Sequence, residues 1–286
     1  MLKKIVFVSD FFLDQVNGGA ELTTNSILSD CPYQVERVLS KDLNLDIISD
    51  RKDQFWIFGN FSQVEDNIKI HFAKHLQYSV IEYDYKYCVY RNDDLHKKVT
   101  GECDCQDSTN GKINSIFISK AKIVWWMSEQ QKEHYVGKFP FLGNINNKVL
   151  SSVFSKDNIQ YFKSFQNKQI QKNNKWIIIN SPSWVKDVKE CVKYARDNKL
   201  EYDLVWGLSH QNLLEKLSVS KGLIFLPAGK DTCPRLVIEA KLLGCELVLN
   251  EKVQHKDESW FDNEETILSH LQTRTSYFWD EISNYV

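Results

Sequence analysis

The chain has 286 residues, of which 42% are hydrophobic and 26% charged, with a formal net charge of -2. That is globular composition, enough for one large domain or two smaller ones, and it exerts no general electrostatic pull toward nucleic acid or anionic membrane. Seven cysteines, an odd number in a chain this long, do not make a secreted disulfide framework.

The opening "MLKKIVFVSDFF" reads as a first strand, because its apolar run breaks at Ser9 and Asp10 instead of continuing to a small-residue cleavage site. Further strands are expected at "YQVERVL", "QFWIFGN", "YSVIEYD" and "KIVWWMS", with helices at "AELTTNSILSD" and "NGKINSIFISKA". A polar stretch over 156–175, rich in Asn, Gln and Lys, reads as a linker. Beyond it the strands are "KWIIINS", "YDLVWG", "GLIFLP" and "CELVLN", separated by helices at "WVKDVKECVKYARDNKL", "HQNLLEKLSVS" and "TCPRLVIEAKLLG". Short apolar runs alternating with helical patterns imply βαβ units and parallel sheets, hence an α/β fold. The expected domains are 1–155 and 176–262, followed by a C-terminal helix over 263–286. Its Tyr277, Phe278, Trp279 and Tyr285 need burial, so that helix is expected to pack back toward the first domain. No run approaches the ~20 apolar residues of a membrane-spanning helix, and a cytoplasmic protein is expected.

Ligands of open α/β sheets sit beyond the carboxyl ends of the strands. Gly18 and Gly19 follow the first strand and open a helix, where paired glycines allow close backbone approach and free N–H groups favour an anion. An ordinary strand-to-helix turn explains the same pair equally well. In "GKDTCPRLVIEAKLLGC", Thr232 or Cys233 is placed to cap a helix, Pro234 fits its start and Gly244 its end. Glu239 lies inside that otherwise apolar helix, eight residues after Asp231. A buried carboxylate requires a partner, and the candidates are an ion pair with Arg235 four residues earlier or a bound ligand.

In the middle of the first half, Cys88, His96, Cys103 and Cys105 fall in a polar segment with spacing C-x7-H-x6-C-x-C. Thiolates and imidazole are tetrahedral zinc ligands, yet the spacing matches no standard finger. A structural zinc and a set of unliganded cysteines both remain open.

The stretch "DTCPRLVIEAKLLGCELVLN" resembles the donor-site signature of retaining glycosyltransferases of the GT-B fold, a large family related to sucrose synthase and bacterial polysaccharide transferases. "GGAEL" resembles that family's first-domain glycine loop, and both stretches fall in the appropriate halves. The resemblance implies two Rossmann-like domains facing a cleft. It implies that Glu239 binds the ribose hydroxyls of a nucleotide sugar and Asp231 the sugar hydroxyls. The Thr232 and Cys233 amides would approach sugar or diphosphate, and Gly18 and Gly19 would face the diphosphate. Asp84, at the end of a strand, would sit on the acceptor side, while Lys186 and Arg235 would stabilise the departing nucleoside diphosphate. No cofactor is required for that chemistry. The family's usual arginine is missing, since Asn180 or Ser181 stands in its place, and Pro234 replaces a frequent glycine. The expected function is transfer of a sugar from a nucleotide-sugar donor to an unknown acceptor, with retention. The alternatives are a nucleotide- or sugar-binding module without turnover and a transferase modifying nucleic-acid bases.

Overall fold

A computed structural model describes residues 4–166 and 170–286. It divides into two compact units, Met1–Ser155 with Thr273–Val286, and Lys156–Gln272. In the first unit the strands are β1 (Lys4–Ser9), β2 (Gln34–Leu39), β3 (Phe55–Phe58), β4 (Tyr78–Glu82), β5 (Val124–Trp126) and β6 (Asn147–Val149). The helices alternating with them are α1 (Gly19–Ser29), α2 (Leu45–Asp50), α3 (Asp66–His75), α4 (Asp93–Thr100), α5 (Thr109–Lys120) and α6 (Glu129–Lys138). The strands pair in parallel in the order β2-β1-β3-β4-β5-β6. Strand β3, "FWIF", is buried at every position, as a central parallel strand covered on both faces must be, whereas the edge strand β2 is largely uncovered. Below the sheet, Trp56, Phe58, Phe72, Tyr78 and Phe117 pack with ring centroids 4.7–5.8 Å apart, mostly edge to face.

The second unit opens with α7 (Lys156–Gln166), followed by β7 (Trp176–Ile179), α8 (Val188–Asp197), β8 (Tyr202–Val205), α9 (His210–Val219), β9 (Gly222–Phe225), α10 (Arg235–Leu242) and β10 (Glu246–Leu249). Its sheet, again wholly parallel, has the order β10-β9-β7-β8. Trp176, Ile178, Cys191, Ala195, Ile224 and Leu226 form a core between this sheet and α8. Helix α11 (Glu264–Ser283) begins in the second unit and ends in the first. There Trp279 Nε1 donates to the Ile27 carbonyl at 3.0 Å, Phe278 packs 4.8 Å from Trp125, and Lys148 pairs with Glu281 at 2.8 Å. No helix among the described residues is long and apolar enough to cross a membrane.

Two local expectations are corrected. Part of the stretch read as a linker is helix: α7 buries Ile159 and Phe162, an i,i+3 pair that polar neighbours hide in the composition. Residues 167–169 of that stretch lie outside the described residues. Helix α10 also starts later than its residue types suggest. Pro234, with φ -65° and ψ 114°, is itself the cap residue, and no side chain caps the helix, so Thr232 and Cys233 stand ahead of it. The proline ring disfavours helical backbone in the preceding residue, which sets the start at Arg235.

In both sheets the strand order reverses once, between β1 and β3 and between β7 and β9. Chain entering the loops after these strands leaves in opposite directions and opens a crevice at their carboxyl ends. The polar clusters of both units lie there.

Candidate functional site

The second unit's cluster is built from the loops after β7 and β9. Ala228 N donates to the Val185 carbonyl at 2.9 Å, which ties the two loops together. One turn of 3-10 helix, Trp184–Lys186, follows β7, and Asp187 then adopts a left-handed backbone (φ 35°) that non-glycine residues rarely accept. Its carboxylate caps α8 by accepting from Glu190 N at 3.3 Å, which helps to hold the turn. Lys186 is thereby presented over the Phe225 ring, Nζ 4.6 Å from its centroid, and 2.9 Å from Asp231 Oδ2. Asp231 is held by its own backbone, which pairs with the loop after β10: its N donates to the Lys252 carbonyl and its carbonyl accepts from Gln254 N. Thr232 and Cys233, both buried, follow directly.

Glu239 is buried at 2% exposure, and two side chains, His210 and Arg235, converge on its Oε1. His210 Nε2 lies 2.8 Å away and Arg235 Nε 3.7 Å away. Arg235 is itself only 4% exposed, so its guanidinium is packed inside the unit beside Glu239. His210 is the first residue of α9, whose Ser209 cap accepts from Asn212 N. Sequence reasoning missed it. A histidine contributed from another helix, 29 residues away, leaves no local pattern to read.

The first unit's cluster gathers around the ends of β1, β3 and β4. Asp10, buried just past β1, accepts from Ser40 Oγ at 2.5 Å, from the Ser62 and Gln63 amides at 3.1 Å each, and from the Ser62 hydroxyl. Arg91 Nη2 donates to Asn60 Oδ1 at 3.0 Å, and its Nε to Asp84 Oδ2 at 2.7 Å. The other oxygen of Asp84 accepts from Lys86 Nζ at 3.1 Å, and the same ammonium lies 3.2 Å from Glu82 Oε1. Burial alone would raise the Asp84 carboxyl, but Lys86 and Arg91 together bring it below the usual carboxylate range. At Glu82 burial wins over Lys86 and pushes the carboxyl up. Gln131 fixes this strand end, donating from Nε2 to the Glu82 and Asp84 carbonyls at 2.8 Å each.

Gly18 caps α1 and Gly19 begins it. The Glu21 carboxylate folds back over Gly18, into space that a β-carbon there would fill, so a larger residue at 18 would have to displace that carboxylate. Burial raises the Glu21 carboxyl, opposed by its own amide, by Arg91 and by Asn60. The glycine turn and Asp84 thus belong to one connected network, through Glu21, Asn60 and Arg91. Of its members, only Gly18, Gly19 and Asp84 stand out in the sequence. Asp10, Asn60, Lys86 and Arg91 are ordinary loop residues until the strand ends bring them together.

No family model and no curated protein matches the sequence. Solved structures do match. HepE of Anabaena in complex with UDP superposes with a TM-score of 0.54 at 12% identity, over 99% of this chain and 97% of that one. HepE with UDP and glucose gives 0.52, also at 12%, over 98% and 96%. The trehalose-6-phosphate synthase OtsA gives 0.54 at 9%, over 99% and 96%. The chain has the GT-B fold. At such identities the similarity is one of architecture, and the two parallel sheets of the GT-B fold account for both units. The GT-B neighbours include complexes with UDP and with UDP-glucose.

Proposed function

We propose that the chain is a glycosyltransferase that takes a sugar from a nucleotide-sugar donor. One observation carries the reading. In a chain of GT-B fold, the reversal point of the second sheet carries the Lys186–Asp231 pair, and the buried, doubly held Glu239 follows in the adjoining helix.

In this reading Glu239 accepts hydrogen bonds from the ribose diol. His210 and Arg235 fix the carboxylate by occupying Oε1, so the diol falls to Oε2, and Arg235 acts through Glu239. Lys186 exchanges Asp231 for the diphosphate, and Asp231, with the Thr232 and Cys233 amides, turns to the sugar. The anomeric carbon–oxygen bond of the donor breaks and its electron pair leaves with the nucleoside diphosphate, while an acceptor hydroxyl oxygen bonds to the same carbon and passes its proton to an oxygen of the departing diphosphate. Lys186 stabilises the charge developing on the leaving group, an electrostatic contribution. Gly18 and Gly19 are assigned to the diphosphate and Asp84 to the acceptor side. No metal takes part in this chemistry as assigned. Retention of configuration follows from the motif resemblance.

The test is incubation with a panel of nucleotide sugars, followed by assay for nucleoside diphosphate and by anomeric NMR of the product. Release from one donor, abolished in Lys186→Ala, supports the reading, and an axial-to-axial outcome supports retention. The residues at 180 and 181, Asn and Ser where the family carries arginine, favour one second reading, a binding module without turnover. Tight binding with no release from any donor or added acceptor is the outcome that selects it.

A further inference from the structure

We infer that Cys88, His96, Cys103 and Cys105 form a structural zinc site in the first unit, one that braces the segment carrying Arg91. The four donor atoms, three Sγ and the His96 Nδ1, lie within 4.8 Å of one another. Zinc–sulfur bonds of about 2.3 Å and zinc–nitrogen bonds of about 2.0–2.1 Å at tetrahedral angles place two sulfurs about 3.8 Å apart and sulfur from nitrogen about 3.6 Å. Cys103 Sγ stands 3.8 Å from Cys88 Sγ, and Cys88 Sγ stands 3.6 Å from His96 Nδ1. Cys105 Sγ approaches the same nitrogen at 3.1 Å, closer than a shared metal would hold it. Both thiols thus face the imidazole through Nδ1, the nitrogen a metal would take.

Three separate local structures deliver these ligands. Cys88 lies in a tight turn after β4, where its amide donates to the Tyr85 carbonyl at 2.9 Å and its carbonyl accepts from Arg91 N at 2.8 Å. Asn110 and Asn114 of α5 clamp that turn by donating to the Lys86 and Tyr87 carbonyls. His96 rides on α4, which Asn92 caps and Gly101 (φ 93°) ends. Cys105 precedes α5, its carbonyl accepting from Ser108 Oγ at 2.7 Å and resting on Gly111, where a β-carbon would collide with it.

Tyr85, Tyr87, Cys88 and Cys105 belong to the first unit's core, but the stretch between Cys88 and Cys103 adds little apolar burial of its own. Helix α4 has eight residues and buries only Asp93, too short and too exposed to persist alone. Val89, Tyr90 and Val99 face solvent. A metal supplies folding free energy where no apolar core does. Of the other four cysteines, Cys191 and Cys245 bond to backbone carbonyls of the second unit and Cys31 Sγ accepts from Tyr33 N at 3.4 Å; neither these nor Cys233 joins a group of metal-ligating side chains among the described residues.

Arg91 gives the site its consequence. Its backbone is left-handed (φ 55°), it closes the Cys88 turn, and its guanidinium holds Asp84 and Asn60. Losing the metal should therefore loosen the polar cluster of the first unit as well as the loop.

The experiment uses the full chain purified without added metal. Elemental analysis should find one zinc per chain. Exchange into cobalt should give tetrahedral ligand-field absorption with thiolate-to-cobalt charge transfer. His96→Cys, which keeps four ligands, should retain the metal and strengthen the charge-transfer band, whereas Cys31→Ser should change neither. Chelation should lower the thermal midpoint and restore three thiols to titration. A metal-free protein whose midpoint ignores chelator overturns the proposal. So do a Cys88–Cys103 disulfide, iron in place of zinc, or cobalt bound without thiolate bands.

Discussion

Most groups in the two polar clusters are paired with one another. His255 differs. It lies in the loop after β10, fully buried, with its ring stacked 5.4 Å from Trp260 and edge-on to Phe261 at 4.6 Å. Neither ring nitrogen has a hydrogen-bond partner among the described residues. Burial, with help from Lys241 and His270, pushes the imidazole down to about 3. In the unfolded chain it takes a proton near pH 6.5, so between those values the unfolded state binds more protons and stability falls as pH falls. The loss is about 1.4 kcal/mol for each pH unit below 6.5. His255→Phe keeps an aromatic ring and removes the titration. Denaturation midpoints should therefore show the variant gaining on wild type steadily from pH 6.5 to 4. A constant offset across that range would remove His255 from the account.

At the scale of elements, two glycines inside helices make opposite predictions. Gly111 of α5 accommodates the Cys105 carbonyl, and Gly111→Ala drives a methyl into backbone that has nowhere to move. A loss of about 1–3 kcal/mol is expected. Gly137 of α6 has nothing within 4 Å of its would-be β-carbon. Gly137→Ala should stabilise by about 0.4–1 kcal/mol through the unfolded chain. Urea titrations of both variants check this, and equal effects would contradict the packing described. Elements also differ in how openly the sequence shows them. Strands such as β3 and β7 are continuous apolar runs and are legible at once, because burial on both faces leaves no room for polar residues. Strand β6, with Asn147 and Lys148 at the sheet edge, has no such demand on it and passes unnoticed. Helix α7 is hidden for the same reason, since one apolar pair suffices for its single buried side. Of the second unit's cluster, Asp231, Arg235 and Glu239 share one helix and its approach, so their spacing is visible. His210 comes from α9 and meets Glu239 only in three dimensions.

At the scale of the whole molecule, the first unit is completed by the last fourteen residues of the chain, Thr273–Val286. Trp279 is 4% exposed, donates to the Ile27 carbonyl and stands 5.9 Å edge-on from Tyr33. Trp279→Ala should cost about 3–5 kcal/mol, concentrated in the first unit. Hydrogen exchange should then accelerate in β1, α1 and β2 while β7 and β9 stay protected; uniform acceleration would show that the two units do not unfold separately. The proposed function rests on the second unit, with Glu239 at its centre. A carboxylate accepting from a ribose diol contributes about 1.5–3 kcal/mol for each charge-assisted bond, so removing its charge should weaken nucleotide binding at least tenfold, or about 1.4 kcal/mol. The decisive measurement is calorimetric titration of wild type and Glu239→Gln with nucleoside diphosphates, below the thermal transition of each. The account predicts binding of at least one nucleotide by wild type and a loss of tenfold or more in the folded variant. A folded Glu239→Gln that binds as tightly as wild type, with only its thermal midpoint lowered, would make Glu239 a structural partner of His210 and Arg235 and would contradict the donor-site assignment.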